Sequence, residues 1–284
     1  MLITAMLIFG SIGLFRRNLE ISSGVIALVR GFLGGMSLLL VSPFTQKHKN
    51  EKLSKKAMFS FSISGAIMGL NWILLFEAYE YTTVATATMC YYMMPTIVIL
   101  LSPIVFKEKL SCRKLVCAIT GLIGMGFISG IGTNDMFEPG FFKGILYGLS
   151  AAVLYAAVVI LNKQIRAEDL FGRTVIQLFS AGIILLPYLI FSGQLRSVSM
   201  GPTDIILLLT MGIIHTCVAY LLYFASINYL DANSIAILSY IDPVFALFIS
   251  VFVLSEPITR WGLLGAALII GASISSEISH KVKK

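Results

Sequence analysis

Long apolar runs, separated by short clusters of charged and turn-forming residues, dominate the sequence. A helix of about 20 apolar residues spans the hydrocarbon core of a bilayer. The runs therefore predict ten membrane-crossing helices. Their predicted boundaries are 1–15, 22–43, 58–79, 81–106, 113–131, 142–162, 172–192, 204–229, 232–254 and 261–279. The predicted fold class is an all-α integral membrane protein.

The composition agrees with this pattern. Of the 284 residues, 57% are hydrophobic and 12% are charged, and the mean hydropathy is +0.91, which excludes an ordinary soluble domain. Ten crossings leave almost no chain for a catalytic domain outside the bilayer. Neither the cysteines nor the histidines show metal-ligand spacing, and no nucleophile constellation is visible. We therefore expect no metal, no cofactor and no enzymatic activity.

The net charge of +7 has a topological explanation. With the N-terminus in the cytoplasm, fifteen of the 21 Lys and Arg residues fall in the segments on the cytoplasmic side, and five fall on the opposite side. Basic residues near helix ends are retained in the cytoplasm. The sequence therefore predicts a multi-pass protein of the plasma (inner) membrane with both termini cytoplasmic, and it gives no reason to expect a nucleic-acid partner.

An internal repeat relates the two halves of the chain, 1–131 and 142–284, at an offset of 148 residues. The matched pairs include Tyr92 with Tyr240, Pro95 with Pro243 and Glu108 with Glu256. Each half holds five predicted helices, an odd number, so the second copy must be inverted in the membrane. Inverted repeats of this kind are typical of secondary transporters.

Several short motifs carry a family resemblance. They are FGSIG at 9–13, ALVRG at 27–31, SYIDPVF at 239–245 and SEPIT at 255–259. With these motifs the chain resembles the drug/metabolite transporter superfamily, and in particular its ten-helix EamA-type members. The resemblance implies two inverted five-helix repeats, alternating access, and export or uptake of small metabolites, amino acids among them. It also implies that the third, fourth, eighth and ninth helices line a central cavity.

Asp242 is the acidic residue placed deepest in a predicted crossing. An ionised carboxylate at mid-bilayer costs roughly 3 kcal/mol unless it is paired, hydrated or protonated. Pro243 follows it, and Pro95 occupies the matching place in the first half, so both prolines are predicted helix breaks. Asp242 is a candidate for proton or cation coupling. The alternative is a structural hydrogen bond to a neighbouring Tyr, Arg or Ser.

Arg30 lies inside the second predicted helix, too deep for a simple interfacial anchor. Its planar guanidinium suits a substrate carboxylate or phosphate. The alternative is a structural role, in which Arg30 pairs with an acidic side chain or binds helix-end carbonyl groups.

Aromatic and polar side chains complete the candidate substrate site. Aromatic faces hold apolar groups and cations alike, so they indicate an amphipathic organic solute. Each of these side chains has helix packing as its alternative role. The candidates are Asn71, Trp72, Tyr79, Tyr91, Tyr92, His215, Tyr220, Tyr223 and Tyr240.

These observations predict a secondary active transporter of small organic metabolites, amino acids or similar solutes, with proton coupling as an open alternative. A multidrug or quaternary-amine exporter is the second hypothesis, and an intramembrane enzyme or a channel fits the sequence least well. The expected partners are a small-molecule substrate and the lipid bilayer. The chain is expected to be a monomer or a weak homodimer.

Overall fold

The computed structural model describes residues 1–45, 54–107, 111–128, 140–164, 170–195, 200–227, 229–230, 235 and 238–278. Every regular element within these ranges is a helix. The α-helices are α1 (Leu2–Gly10), α2 (Ile12–Arg17), α3 (Ser23–Thr45), α4 (Lys55–Tyr81), α5 (Val84–Tyr91), α6 (Met94–Phe106), α7 (Cys112–Ile128), α8 (Phe141–Gln164), α9 (Leu170–Phe191), α10 (Pro202–Gly212), α11 (Ala219–Ile227), α12 (Ile241–Phe248) and α13 (Arg260–Ile278). Two π-helical segments, Ile213–Val218 and Ile249–Val253, follow α10 and α12.

Six helical stretches in the described part of the chain are long and apolar enough to cross a membrane. They are Ser23–Val41, Lys55–Tyr81, Val84–Phe106, Phe141–Lys163, Phe171–Phe191 and Pro202–Ser226. Ile241–Val253 and Arg260–Ser275 are shorter apolar helices. These lengths and compositions confirm the prediction of an all-α membrane protein.

The bundle buries several polar side chains beside its apolar core and exposes many large apolar ones. Arg30, Asn71 and Gln177 are buried, whereas Ile104 and Phe191 are 77% and 90% exposed. A soluble protein of this size rarely exposes so many large apolar side chains together, because water favours polar groups at the surface. The exposed apolar surface is the one that lipid tails would cover.

Some predicted helices are interrupted. The stretch 81–106 divides at Tyr92–Met93 into α5 and α6, and the helical turn that ends at Ser239 is separated from α12 by Tyr240. Each break directly precedes a proline that sits in the first turn of the next helix, Pro95 in α6 and Pro243 in α12. Proline fits there because the first-turn N–H has no partner inside the helix.

Glycines let the helices pack backbone against backbone. α4 packs on α8 and α9, α3 packs on α9, and α7 packs on α13. A Cβ atom on Gly69 would lie 2.8 Å from the carbonyl oxygen of Ala181, and one on Gly265 would lie 2.5 Å from that of Gly124. Small residues permit this close approach between helices in a membrane.

The predicted orientation depends mainly on loops and on the C-terminal tail. Eight of the fifteen basic residues on the predicted cytoplasmic side fall in 46–53, 108–110, 165–169 and 279–284, which lie outside the described residues. The placement of both termini in the cytoplasm stays a prediction.

Candidate functional site

A cavity of about 450 Å³ lies between the helices and is lined from both halves of the chain. This volume suits a small organic molecule. Nine of the eleven predicted substrate and coupling residues form part of its wall. They are Arg30, Asn71, Trp72, Tyr79, Tyr91, Tyr92, Tyr220, Tyr223 and Asp242.

Two contacts hold the guanidinium of Arg30, one along its edge and one on its planar face. Its Nε donates a hydrogen bond to Thr216 Oγ1 at 3.1 Å, and its Cζ lies 4.2 Å from the centroid of the Trp72 ring. Thr216 is placed by the π-helical segment, where its hydroxyl donates to the carbonyl of Met211, five residues earlier, at 3.0 Å. Among the described residues no other hydrogen bond and no ion pair engages Arg30. Both terminal amino groups of the guanidinium are thus available to a ligand in the cavity.

Asp242 lies in the first turn of α12, directly after the break at Tyr240, and connects the two halves of the chain. Tyr92 OH donates a hydrogen bond to Asp242 Oδ2 at 2.7 Å, and the Tyr92 ring lies 6.3 Å from the Tyr240 ring. The structural hydrogen bond that was the alternative for Asp242 is therefore present. The carboxylate also borders the cavity. Both alternatives for Asp242 are thus compatible with its surroundings.

Stacked aromatic rings form the apolar part of the wall. Tyr91 and Tyr155 stack with centroids 5.1 Å apart and an interplanar angle of 1°. Tyr220 stacks on Phe224 at 5.8 Å and meets Phe9 edge to face at 5.5 Å. Tyr155 is on α8, which sequence reasoning did not include among the cavity helices. The sequence feature that could have identified Tyr155 is an aromatic side chain with a hydroxyl in the middle of an otherwise apolar run.

Sequence reasoning also missed a polar cluster at one end of the cavity. Gln177 Nε2 donates to Ser64 Oγ at 2.8 Å and to Asn162 Oδ1 at 2.9 Å, which joins α4, α8 and α9. Arg173 lies one turn before Gln177 and also borders the cavity. The spacing of four residues puts both side chains on one face of α9, which is the signal that could have identified them.

The structure places His215 and Tyr240 outside the wall of this cavity. His215 Nε2 lies 2.9 Å from Ser11 Oγ, and its ring packs against Phe15 at 4.4 Å. Tyr240 instead borders an apolar groove on the outside of the bundle. These contacts favour helix packing, the alternative role, for both residues. No group of three or more His, Cys, Asp or Glu side chains within the described ranges is placed to hold a metal ion.

A charged cluster closes the opposite end of the bundle. Arg17 forms an ion pair with Glu256 at 2.8 Å and donates to the carbonyl of Thr82 at 2.7 Å. The second carboxylate oxygen of Glu256 accepts from the backbone N–H of Val84 at 2.7 Å, at the beginning of α5, and from the hydroxyl of Ser250. A carboxylate is favoured at a helix N-terminus. The cluster ties α2 and α5 of the first half to the segment after α12.

A family model described as the EamA-like transporter family matches residues 1–130 and 142–276. The chain belongs to this family. The match confirms the resemblance seen in the motifs, and this EamA-like protein is therefore a transporter and a multi-pass membrane protein.

Relatives of the EamA-like protein carry transporter names. It is 31% identical over 246 residues to YxxF of Bacillus subtilis, named an uncharacterized transporter, and the match covers 87% of this chain and 78% of the relative. It is 26% identical to an uncharacterized transporter of Archaeoglobus fulgidus, with 95% and 92% of the two chains covered. A Rickettsia felis protein named as an S-adenosylmethionine uptake transporter is 24% identical, with 90% and 83% covered.

The fold also occurs in a solved structure. A crystal structure of another protein matches with a TM-score of 0.67 and 17% sequence identity, covering 99% of this chain and 96% of that one. At this identity the similarity concerns the fold alone.

Proposed function

We propose that this EamA-like protein is a secondary active transporter of small zwitterionic solutes, amino acids or similar molecules, which pass through the central cavity by alternating access. One observation carries the proposal. Arg30 and Asp242 both border the same cavity, and they do not form an ion pair with each other.

Opposite charges in one low-dielectric cavity are costly when neither is neutralised by a counter-charge. A zwitterion supplies a carboxylate for the open donors of Arg30 and an ammonium group for the carboxylate of Asp242. The Tyr91–Tyr155 stack and the Tyr220–Phe224 stack offer flat surfaces for the rest of the solute. The cavity therefore has a complementary group for each part of an amino acid.

The proposed mechanism requires two inverted five-helix halves, 1–131 and 142–284, that rock about the cavity. The two segments matched by the family model, 1–130 and 142–276, support this division. The packing of α3 on α9 and of α7 on α13 also supports it, because the repeat makes the members of each pair counterparts. The two proline-associated helix breaks are counterparts as well.

Proton coupling through Asp242 belongs to the same proposal. Replacing Asp242 by Asn keeps the shape and a partner for Tyr92 but removes the titratable group. In proteoliposomes with an imposed pH gradient, Asp242→Asn should lose uphill accumulation of the transported amino acid and keep downhill exchange, while Asp242→Glu should recover part of the accumulation. Full accumulation by Asp242→Asn would exclude coupling through this residue and leave the structural role.

A quaternary-amine exporter is the second candidate, favoured by Asp242 beside tyrosine rings, which together attract organic cations. Arg30 in the same wall opposes it, because its charge repels such cations. Transport of a neutral amino acid, S-adenosylmethionine and tetraethylammonium should be compared in wild-type protein and in Arg30→Gln. If tetraethylammonium is carried and Arg30→Gln leaves amino-acid transport unchanged, the exporter is the better description.

A further inference from the structure

Arg173 is a second arginine in the cavity wall. It lies in the first turn of α9, half-buried, beside Thr174 and one turn before Gln177. Its Nε is fully buried and has no hydrogen-bond partner among the residues that the structure describes. No acidic side chain in the described ranges forms an ion pair with it. A buried N–H donor without a partner costs about 1–3 kcal/mol. The Arg173 side chain is therefore in an unfavourable position until a ligand accepts this hydrogen bond.

Two tyrosines on α11 border the same cavity as this guanidinium. Among the ionisable side chains, Tyr223 and Tyr220 exert the largest electrostatic influence on Arg173. Tyr220 is also the ionisable side chain with the largest electrostatic influence on Arg30. The tyrosine hydroxyls and the guanidinium all donate hydrogen bonds. The positive end of the α9 dipole adds to the attraction for an anion.

The charges of the described cavity wall do not balance. Arg30 and Arg173 are two cations, and Asp242 is the one acidic residue among the described lining residues. A solute with one ammonium and one carboxylate would satisfy Asp242 and Arg30 and leave Arg173 without a partner. A further anionic group on the solute would supply one.

We propose that Arg173, with the hydroxyls of Tyr220 and Tyr223, forms a second anion subsite that binds a carboxylate or phosphate group of the transported solute. This inference rests on the proposed function and specifies its substrate class as solutes with an additional anionic group, such as acidic amino acids. Arg30 holds one anionic group and Arg173 holds the other.

The test uses pairs of nearly isosteric molecules that differ by one carboxylate: glutamate with glutamine, aspartate with asparagine, and succinate with succinamate. O-phosphoserine with serine separates phosphate from carboxylate. Binding to the purified full chain is measured by ligand-induced thermal stabilisation and by calorimetry. In the wild-type protein the anionic member of at least one pair should bind about tenfold tighter or more, the effect of one charge-assisted hydrogen-bonded contact.

Arg173→Gln should abolish this preference and change the affinity for the neutral member less than about twofold, an affinity difference of about 0.4 kcal/mol. The matched control is Arg113→Gln, which removes the same charge from an exposed residue in the first turn of α7. That variant should keep the preference. If Arg173→Gln folds poorly, Arg173→Lys, which keeps the charge but not the planar fork, and Tyr223→Phe, which removes one hydroxyl, should each reduce the preference severalfold.

Three results would overturn the subsite: no preference for the anionic member in any wild-type pair, a preference that survives Arg173→Gln, or an equal loss in Arg113→Gln. Transport assays keep its failure separate from that of the proposed function. If glutamine is carried but no anionic preference exists, only the subsite is lost. If the binding preference holds but no solute crosses the membrane, the transport proposal fails and the subsite stands.

Discussion

The contact between α7 and α13 leads to a sharp stability prediction. A Cβ atom on Gly265 would lie 2.5 Å from the carbonyl oxygen of Gly124, 2.8 Å from Ile128 Cγ1 and 3.0 Å from Phe127 Cβ. Carbon and oxygen atoms rest about 3.3 Å apart, so Gly265→Ala must push the two helices apart by roughly 0.8 Å. One methyl group is then enough to disturb the packing of both helices.

The expected cost follows from overpacking, which destabilises by about 1–3 kcal/mol, less the gain of up to about 1 kcal/mol from replacing helical Gly by Ala. A net loss of about 1–2 kcal/mol remains. At about 2–4 °C per kcal/mol for a chain of this size class, the melting temperature of the purified protein should fall by several degrees. Differential scanning fluorimetry in one detergent at one protein concentration measures this shift.

The same helix provides the control. Gly271 also lies in α13, and a Cβ atom there would meet no other atom within 4 Å. Gly271→Ala should therefore keep the wild-type melting temperature or raise it slightly. If Gly265→Ala melts at or above Gly271→Ala, the backbone contact between α7 and α13 is not as described and the reasoning is refuted.

Three further predictions concern the ends of the bundle and the support of Arg30. A membrane-impermeant maleimide should label the exposed Cys112 in inside-out vesicles but not in intact cells, and labelling in intact cells would reverse the predicted orientation. Glu256→Gln should lower the melting temperature by several degrees, because Arg17 loses its ion pair, and an unchanged melting temperature would show that this pair contributes no stability. Thr216→Val should weaken carboxylate binding about threefold to tenfold and Thr216→Ser should restore it, because only the hydroxyl holds Arg30 Nε; equal affinities in both variants would contradict this role.

Hydropathy predicted the helices well because a bilayer demands internally bonded backbone and apolar surfaces. Local chemistry also located the two main breaks, since Pro95 and Pro243 restrict the backbone wherever they occur. The motif around Asp242 pointed to the cavity because a carboxylate inside a membrane is costly and is retained mainly where it has a function.

Other features depended on packing that local sequence does not encode. Tyr155 and Asn162 reach the cavity because α8 packs along α4 and turns one face toward the cavity. His215 and Tyr240 had the right chemistry and depth, but their side chains pack away from this cavity. The π-helical segment that positions Thr216 adds one residue to a turn, and the hydropathy of the run is the same with or without it.

The single glycine crossing of α7 and α13 has a mechanical consequence. Gly265 is five residues from Arg260 at one end of α13 and thirteen from Ile278 at the other, which are arms of about 8 Å and 20 Å at 1.5 Å per residue. A rotation of about 10° around the crossing would move the short arm by roughly 1.3 Å and the long arm by roughly 3.4 Å. The helix is an unequal lever, and the same small tilt displaces its C-terminal end more than twice as far as its N-terminal end.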